Sequence, residues 1–335
     1  MIAVGLIGVG EVGRHHLDGI VKSPDARLAA VCDADISVAR GSAPAGAATF
    51  ADVDSMLAAG GLDAVSVCLP HRLHLPVAIA ALGAGCDVLL EKPMAISVDD
   101  CDEILAAAAK AGRRVAVSHN QLFYPAHRRL AEMVEGGELG TLQTLRARLG
   151  IGGRYGAWRA DPAEAGGGLL IDAGAHRVYL LRRLGGPVRS VTAVMDRPGA
   201  EERFSVTLEF DSGALGVIDA AYHGPKGVFD DRVEAFGTGG LAEVAGCEAF
   251  FEGFAAPGDE LRRWRDGAWT SEKLGGAWDQ SVRDSVQAAL RAFARGERPP
   301  VDGLAGRECV ALIAAAYESA RSGRRVALGA DQDDA

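Results

Sequence analysis

Lysine is scarce in this chain. Only Lys22, Lys92, Lys110, Lys226 and Lys273 are present, so arginine supplies 30 of the 35 basic side chains. Basic charge as a whole is also short: 45 acidic residues outnumber the 35 basic ones, for a net charge of −10. No Lys/Arg-rich run occurs, so neither nucleic acid nor an anionic membrane is expected as a partner. No apolar run approaches the roughly 20 residues that span a bilayer, and the opening residues lack a positively charged leader and a small-residue cleavage site. The six cysteines (Cys32, Cys68, Cys86, Cys101, Cys247 and Cys309) include no CxxC pair. Cys32, Cys68, Cys101 and Cys309 fall in strand-like or helical stretches, which predicts buried reduced thiols and a cytoplasmic protein. Internal repeats and low-complexity linkers are absent, and the acidic residues 331–335 are expected to fray.

What is present is an ordinary globular composition, 48% hydrophobic and 24% charged over 335 residues, long enough for about two domains. Over the first 120 residues, short apolar runs at 2–7, 28–32, 64–69, 88–90 and 115–118 alternate with helix-like segments at 12–21, 53–59, 75–82 and 98–109. That alternation predicts a parallel sheet covered on both faces, and strands so buried should be apolar nearly throughout. Asp99 and Asp100 fall in the first turn of their helix, the end favoured for negative charge. Beyond about residue 141 the pattern changes. Residues 204–210 alternate with period 2, and 214–222 and 233–236 also read as strands, set between turn signals such as Asp211-Ser-Gly213 and Gly237-Thr-Gly-Gly240. Helices are expected at 169–184, 280–294 and 307–321. The whole reads as an α/β protein with a parallel-sheet domain over 1–120 and an α+β domain over 121–335.

Gly8-Val-Gly10-Glu11-Val12-Gly13 follows the first strand and opens the first helix. Glycine there permits a tight turn, close approach of the backbone to a pyrophosphate and close helix–strand packing, while the helix N-terminus offers N–H groups to the phosphates. Asp33 stands 20 residues past the third glycine, directly after the second strand-like run. A carboxylate at that point accepts the ribose hydroxyls and repels a 2′-phosphate, which favours NAD over NADP.

In an arginine-biased chain, a retained lysine invites attention, because its compact ammonium has a tunable pKa. Lys92 lies in Glu91-Lys-Pro93, at the carboxyl end of a strand-like run where ligands of open α/β sheets bind; a surface turn is the competing reading. Asp172 and His176, four apart after Gly166-Gly-Gly168, share a face if their segment is helical. Such a carboxylate can orient and activate an imidazole as a general base. A structural polar contact or half of a metal site fits the pattern too, although no HExxH or cysteine cluster supplies further ligands, and no metal is expected.

Taken together, Gly8–Gly13, Cys68-Leu-Pro-His-Arg-Leu-His74, Glu91-Lys-Pro93, residues 120–125, Gly136-Gly-Glu-Leu-Gly140, Trp158-Arg159 and residues 166–176 resemble the Gfo/Idh/MocA oxidoreductases over nearly the whole chain. The resemblance implies an N-terminal Rossmann domain and a C-terminal domain whose large, mainly antiparallel open sheet mediates dimer or tetramer formation. It implies that Gly8, Gly10, Glu11, Val12, Gly13, Asp33, Glu91 and Lys92 contact the cofactor, with Pro70, His71 and His74 on its nicotinamide side. Lys92, Asp172 and His176 match the family's catalytic set, and Asn120, Trp158, Arg159 and Tyr179 fall near the substrate. Two departures stand out. Tyr179 replaces an acid usual in His-x-x-Asp, and a phenol carries no fixed charge at neutral pH; Asn120-Gln-Leu-Phe-Tyr124 lacks an arginine often found there.

The expectation is therefore NAD-dependent hydride transfer at a secondary alcohol of a sugar, inositol or related cyclic polyol. Two alternatives stay open: an enzyme that retains NAD and acts on a glycoside by transient oxidation, and a non-catalytic NAD- or sugar-sensing protein. Residues 215–222 carry apolar side chains on both faces (Leu215, Val217; Ile218, Tyr222), which suits a sheet covered by helices on one side and a second copy on the other.

Overall fold

A computed structural model describes residues 1–153, 156–222, 229–245 and 260–328; Cys247, Lys226 and the acidic residues 331–335 lie outside them. By contacts the chain divides into two compact units, Met1–Asn120 with Val282–Val310, and Gln121–Ser281 with Ala311–Ala335.

The first unit is built from apolar runs too short for helices and connected by them. Its elements are β1 (Ile2–Ile7), α1 (Gly13–Val21), β2 (Ala26–Cys32), α2 (Ile36–Ser42), β3 (Ala48–Phe50), α3 (Val53–Ala59), β4 (Ala64–Val67), α4 (His74–Gly83), β5 (Asp87–Glu91), α5 (Val98–Ala111) and β6 (Val115–Ser118). All strand pairs are parallel, in the order β3-β2-β1-β4-β5-β6, the doubly wound arrangement of dinucleotide-binding sheets. Every residue of β4 and β6 is buried, as a sheet covered on both faces requires. Asp35, Asp52 and Ser97 cap α2, α3 and α5 by accepting backbone N–H groups. No side chain caps α1.

The expectation of one continuous second domain over 121–335 needs correction, because Val282–Val310 packs with the first unit. The Val117 N–H donates to the Val301 carbonyl at 3.0 Å, and Ala116 bridges Asp302, so this segment satisfies backbone groups along the exposed side of β6. Arg114 donates to the Ala292 carbonyl, and Gly19 brings α1 so close to Val286 that an added Cβ would lie 3.0 Å from it.

The second unit contains α6 (Pro125–Glu135), β7 (Leu142–Ile151), α7 (Pro162–Ala165), a π-helical turn (Leu170–Gly174), α8 (Ala175–Gly185), β8 (Val188–Met195), β9 (Arg203–Phe210), β10 (Leu215–Tyr222), β11 (Phe229–Gly237), β12 (Gly240–Ala245), β13 (Glu260–Arg265) and β14 (Ala268–Lys273). After these, α9 (Trp278–Arg295) and α10 (Gly303–Ser322) are shared between the units, and β15 (Val326–Ala327) closes the fold. The nine-stranded sheet runs β14-β13-β12-β11-β7-β10-β9-β8-β15, antiparallel throughout except for β7 beside β10. Phe204, Val206, Leu208 and Phe210 of β9 are all buried, whereas Leu215 of β10 is 44% exposed and begins the opposite face.

Cys32, Cys86, Cys101 and Cys309 are buried free thiols, and Cys68, just beyond β4, is partly exposed. Among the described residues no helix is long and apolar enough to cross a membrane.

Candidate active site

In the first unit the glycine turn leaves β1 with Gly8 at φ +87°, a conformation that strains any other residue. A Cβ on Gly8 would lie 2.4 Å from the Cys68 carbonyl oxygen, and one on Gly13 would lie 2.1 Å from the Gly8 carbonyl oxygen. A Cβ on exposed Gly10 would meet nothing within 4 Å. Gly8 and Gly13 thus serve the turn itself, while Gly10 leaves open space beside an uncapped helix N-terminus. Asp33, at the carboxyl end of β2, accepts the Val9 N–H at 2.8 Å and the Asp35 N–H at 3.0 Å. That fixes its carboxylate beside the turn, with lone pairs left for a ribose. Glu11 is exposed on the loop, and Val12 is the first residue of the helix entry. These residues fit a dinucleotide: backbone for its phosphates and a fixed acid for its ribose.

The Glu91-Lys92-Pro93 turn follows β5 and contains a cis Lys92–Pro93 bond. Its flanks are fastened. Glu91 accepts the Lys92 N–H at 3.1 Å, and the Nε2–H of His16, on α1, donates to Glu91 at 2.9 Å. His74, at the start of α4, has Nδ1 2.9 Å from the Pro93 carbonyl and Nε2 3.0 Å from the Leu69 carbonyl. Burial lowers the His74 pKa in spite of these acceptors. His74, expected near the nicotinamide side of the cofactor, is fully buried with both ring nitrogens facing backbone carbonyls, and it supports the lysine turn from within. Glu91 likewise bonds to protein groups. His71 is buried and packs edge-on to His74, with the ring centroids 5.8 Å apart, and Pro70 precedes it half-buried. Asn120 ends this unit, buried, at the start of a 3₁₀ turn (Asn120–Phe123).

Sequence reasoning missed His16 and His119. Both are buried, and the His119 pKa is pushed down to about 3 by burial, with Lys92 adding to that and Glu91 opposing it. The signal for His16 was its position three residues after Gly13, on the inner face of α1.

In the second unit Trp158, Arg159, Asp172 and Tyr222 come together. The Arg159 guanidinium stacks on Trp158 at 4.5 Å, and its Nε lies 3.6 Å from the Asp172 carboxylate. Burial and the nearby Asp172 charge push the Tyr222 phenol well up, so it stays protonated and able to donate. Tyr222 was read from sequence only as an apolar sheet residue. Arg159 is held in a 3₁₀ turn (Ala157–Ala160), followed by α7, where Asp161 accepts the Ala163 N–H.

The helix expected over 169–184 begins instead with the π-helical turn that carries Asp172, and His176 follows, half-buried, in the first turn of α8. The cause of the altered start is visible. A Cβ on Gly168 would lie 2.4 Å from the Glu201 backbone, the Leu169 N–H donates to the Glu201 carbonyl at 2.9 Å, and the Leu170 N–H donates to the Glu201 carboxylate at 2.7 Å. The glycines admit this neighbouring chain, and Glu201 satisfies backbone that a regular helix start leaves orphaned. Further along α8, buried Arg177 pairs with Asp231 on β11 and donates to Gln121 at 2.8 Å, fixing the rotation of the helix. Tyr179 sits on α8 just beyond, 7% exposed.

Fold, glycine turn and acid define a dinucleotide-binding oxidoreductase. Residues 2–119 match the oxidoreductase family with an NAD-binding Rossmann fold, and residues 127–243 match the GFO/IDH/MocA C-terminal domain. The chain belongs to the Gfo/Idh/MocA family. It is 30% identical to a D-xylose 1-dehydrogenase (NADP(+)) of Haloferax volcanii, over 97% of this chain and 99% of the relative. Among solved structures, GenD2 from gentamicin A biosynthesis, in complex with NAD, is 29% identical with a TM-score of 0.82, covering 98% of this chain and 97% of that one. An aldose-aldose oxidoreductase from Caulobacter crescentus, complexed with glycerol, is 25% identical with a TM-score of 0.84, covering 98% and 99%.

Proposed function

We propose that the protein is an NAD-dependent dehydrogenase that oxidises a secondary alcohol of a sugar, inositol or related cyclic polyol to the ketone, or runs the reverse reduction. The observation that carries this reading is Lys92, one of five lysines, held at the carboxyl end of β5 with its backbone fastened on both sides. The named activities of the xylose and aldose relatives support a sugar or polyol as substrate.

Bound NAD would supply the hydride acceptor, and the turn shaped by Gly8 and Gly13, the open backbone at Gly10 and the Asp33 carboxylate would hold it. Asp33 favours NAD over NADP, because a fixed carboxylate repels a 2′-phosphate. In the reaction, Lys92 binds the alcohol oxygen and stabilises its developing negative charge. His176 takes the hydroxyl proton. Asp172, paired with Arg159, orients His176 or binds a neighbouring hydroxyl, and the protonated Tyr222 phenol beside it is a further donor for substrate oxygens. Asn120, Trp158 and Tyr179 complete the substrate-binding set that the family resemblance assigns.

The test is Lys92→Met. NAD affinity stays within about twofold, and turnover on the true substrate falls by orders of magnitude, since removal of one transition-state donor costs about 10²–10³ in kcat; near-normal turnover would refute the assignment. We also infer that a second copy covers the open face of the large sheet, where Leu215, Trp264 and Trp269 are 44%, 39% and 46% exposed. Light scattering at micromolar concentration then gives at least a dimer mass, and a monomer mass refutes the inference.

A further inference from the structure

We propose that His16 is a positioning residue for Lys92, acting through the Glu91 carboxylate. The inference rests on the reading of Lys92 as the group that binds the substrate oxygen, and it adds a residue from α1 to that machinery. His16 is 0% exposed and is held by Ser66 on β4, with Nδ1 2.7 Å from its Oγ, by Cys68 just beyond β4, and by Glu91 at the end of β5, 2.9 Å from Nε2. The other oxygen of Glu91 accepts the Lys92 N–H. The chain of contacts therefore runs from the helix that opens at the glycine turn, through one buried imidazole, to the backbone nitrogen of Lys92.

A glutamate side chain has several staggered rotamers, and the one Glu91 adopts brings an oxygen to the Lys92 N–H. His16 selects it by donating to the opposite oxygen. Ser118 also hydrogen-bonds to Glu91, so the carboxylate is gripped from β6 as well as from α1. Burial works against protonation of His16, but Cys68 and Glu91 outweigh it and push its pKa up to about 10. Burial likewise opposes the Glu91 charge, while His16 and Lys92 hold its carboxyl below the usual range. A buried ion pair of this kind is weak evidence for stability but can fix one arrangement among several.

The scarcity of lysine makes a direct test practical. With lysine labelled at its ε-carbon, five signals are expected, and a Lys92→Arg variant identifies the one from Lys92. In His16→Leu the Lys92 signal moves or broadens while the other four keep their shifts, and turnover falls at least tenfold with NAD affinity within about threefold. In His16→Gln, whose amide can still donate to Glu91, the Lys92 signal and turnover return to near the parent. Should His16→Leu fail to fold, Glu91→Gln takes its place, with the same displacement of the Lys92 signal expected. An unmoved Lys92 signal in a folded His16→Leu or Glu91→Gln protein overturns the proposal, as does a His16→Gln protein no better than His16→Leu. The NMR readout does not depend on catalysis, so failure of the Lys92→Met test leaves this result separately interpretable.

Discussion

Gly10→Ala separates folding from cofactor binding in the first unit. A methyl group at residue 10 meets no protein atom within 4 Å. Surface changes of that kind stay within about 0.5 kcal/mol of the parent stability, so the melting curve without NAD is unchanged. The open space beside residue 10 is what a pyrophosphate needs to reach the backbone N–H groups of the turn. Holding it off by a methyl group forfeits one charge-assisted hydrogen bond, worth about 1.5–3 kcal/mol, which corresponds to roughly 10- to 150-fold weaker NAD binding. Gly13→Ala behaves oppositely, because its Cβ would sit 2.1 Å from the rigid Gly8 carbonyl oxygen; the apo protein itself loses stability. Calorimetric titration with NAD and denaturant melts of the two variants read both quantities. A Gly10→Ala protein that binds NAD within twofold of the parent, or melts markedly lower without it, refutes the account of the cradle.

Further outcomes follow from the same geometry. Asp33→Ser lowers NAD affinity by about tenfold and raises the ratio of NADP to NAD affinity, as direct titration with both nucleotides shows; an unchanged ratio removes Asp33 from cofactor selection. His127 donates Nδ1–H to the Gln121 carbonyl and is pushed down to about 4 by burial, with Arg177 adding to it. An unfolded histidine binds its proton near pH 6.5, so folding is fully favoured above that pH, and the His127 contribution declines as pH falls from 6.5 through 4, by about 3 kcal/mol. His119, down to about 3, declines in the same direction over a wider span. His16 has the opposite sign: its contribution is present below pH 6.5 and is lost as pH rises through about 10. Urea melts across pH measure both limbs, with His127→Gln flattening the acid limb and His16→Gln the alkaline one; unchanged slopes contradict the assigned protonation states.

Much of the first unit was legible because its strands are buried on both faces and bounded by glycine or polar turns. The strand over 2–7, the strand over 115–118 and the helix over 53–59 coincide with β1, β6 and α3. The three-residue β3 is too short to show a period, and α2 escaped because its sequence, ISVARGS, sets Ser, Arg and Gly among few apolar residues. In the second unit β7 was missed because Arg146 and Arg148 interrupt its apolar residues; their side chains lie on the open face of the sheet, a role that composition does not reveal. The return of Val282–Val310 to the first unit was illegible for another reason: it rests on backbone bonds at Val301 and Asp302 and on contacts such as Arg283 with Asp18 and Val286 against Gly19, all between residues far apart in sequence. At the site, glycine and acid spacing found the cradle. The networks beneath it depend on residues distant in sequence, His16 with Glu91 and Glu201 with Leu170, and no local motif announces such pairs.

Oxidation of a sugar or polyol with NAD is the activity proposed for this chain. Incubating the purified protein with NAD and a panel of inositols, aldoses, glycosides and sugar acids, and following NADH, tests it most directly. The account predicts NADH formation with at least one cyclic polyol or sugar, dependent on Lys92. Tight NAD binding with no NADH from any member of the panel contradicts it, and glycoside conversion without net NADH would point instead to a retained cofactor and transient oxidation.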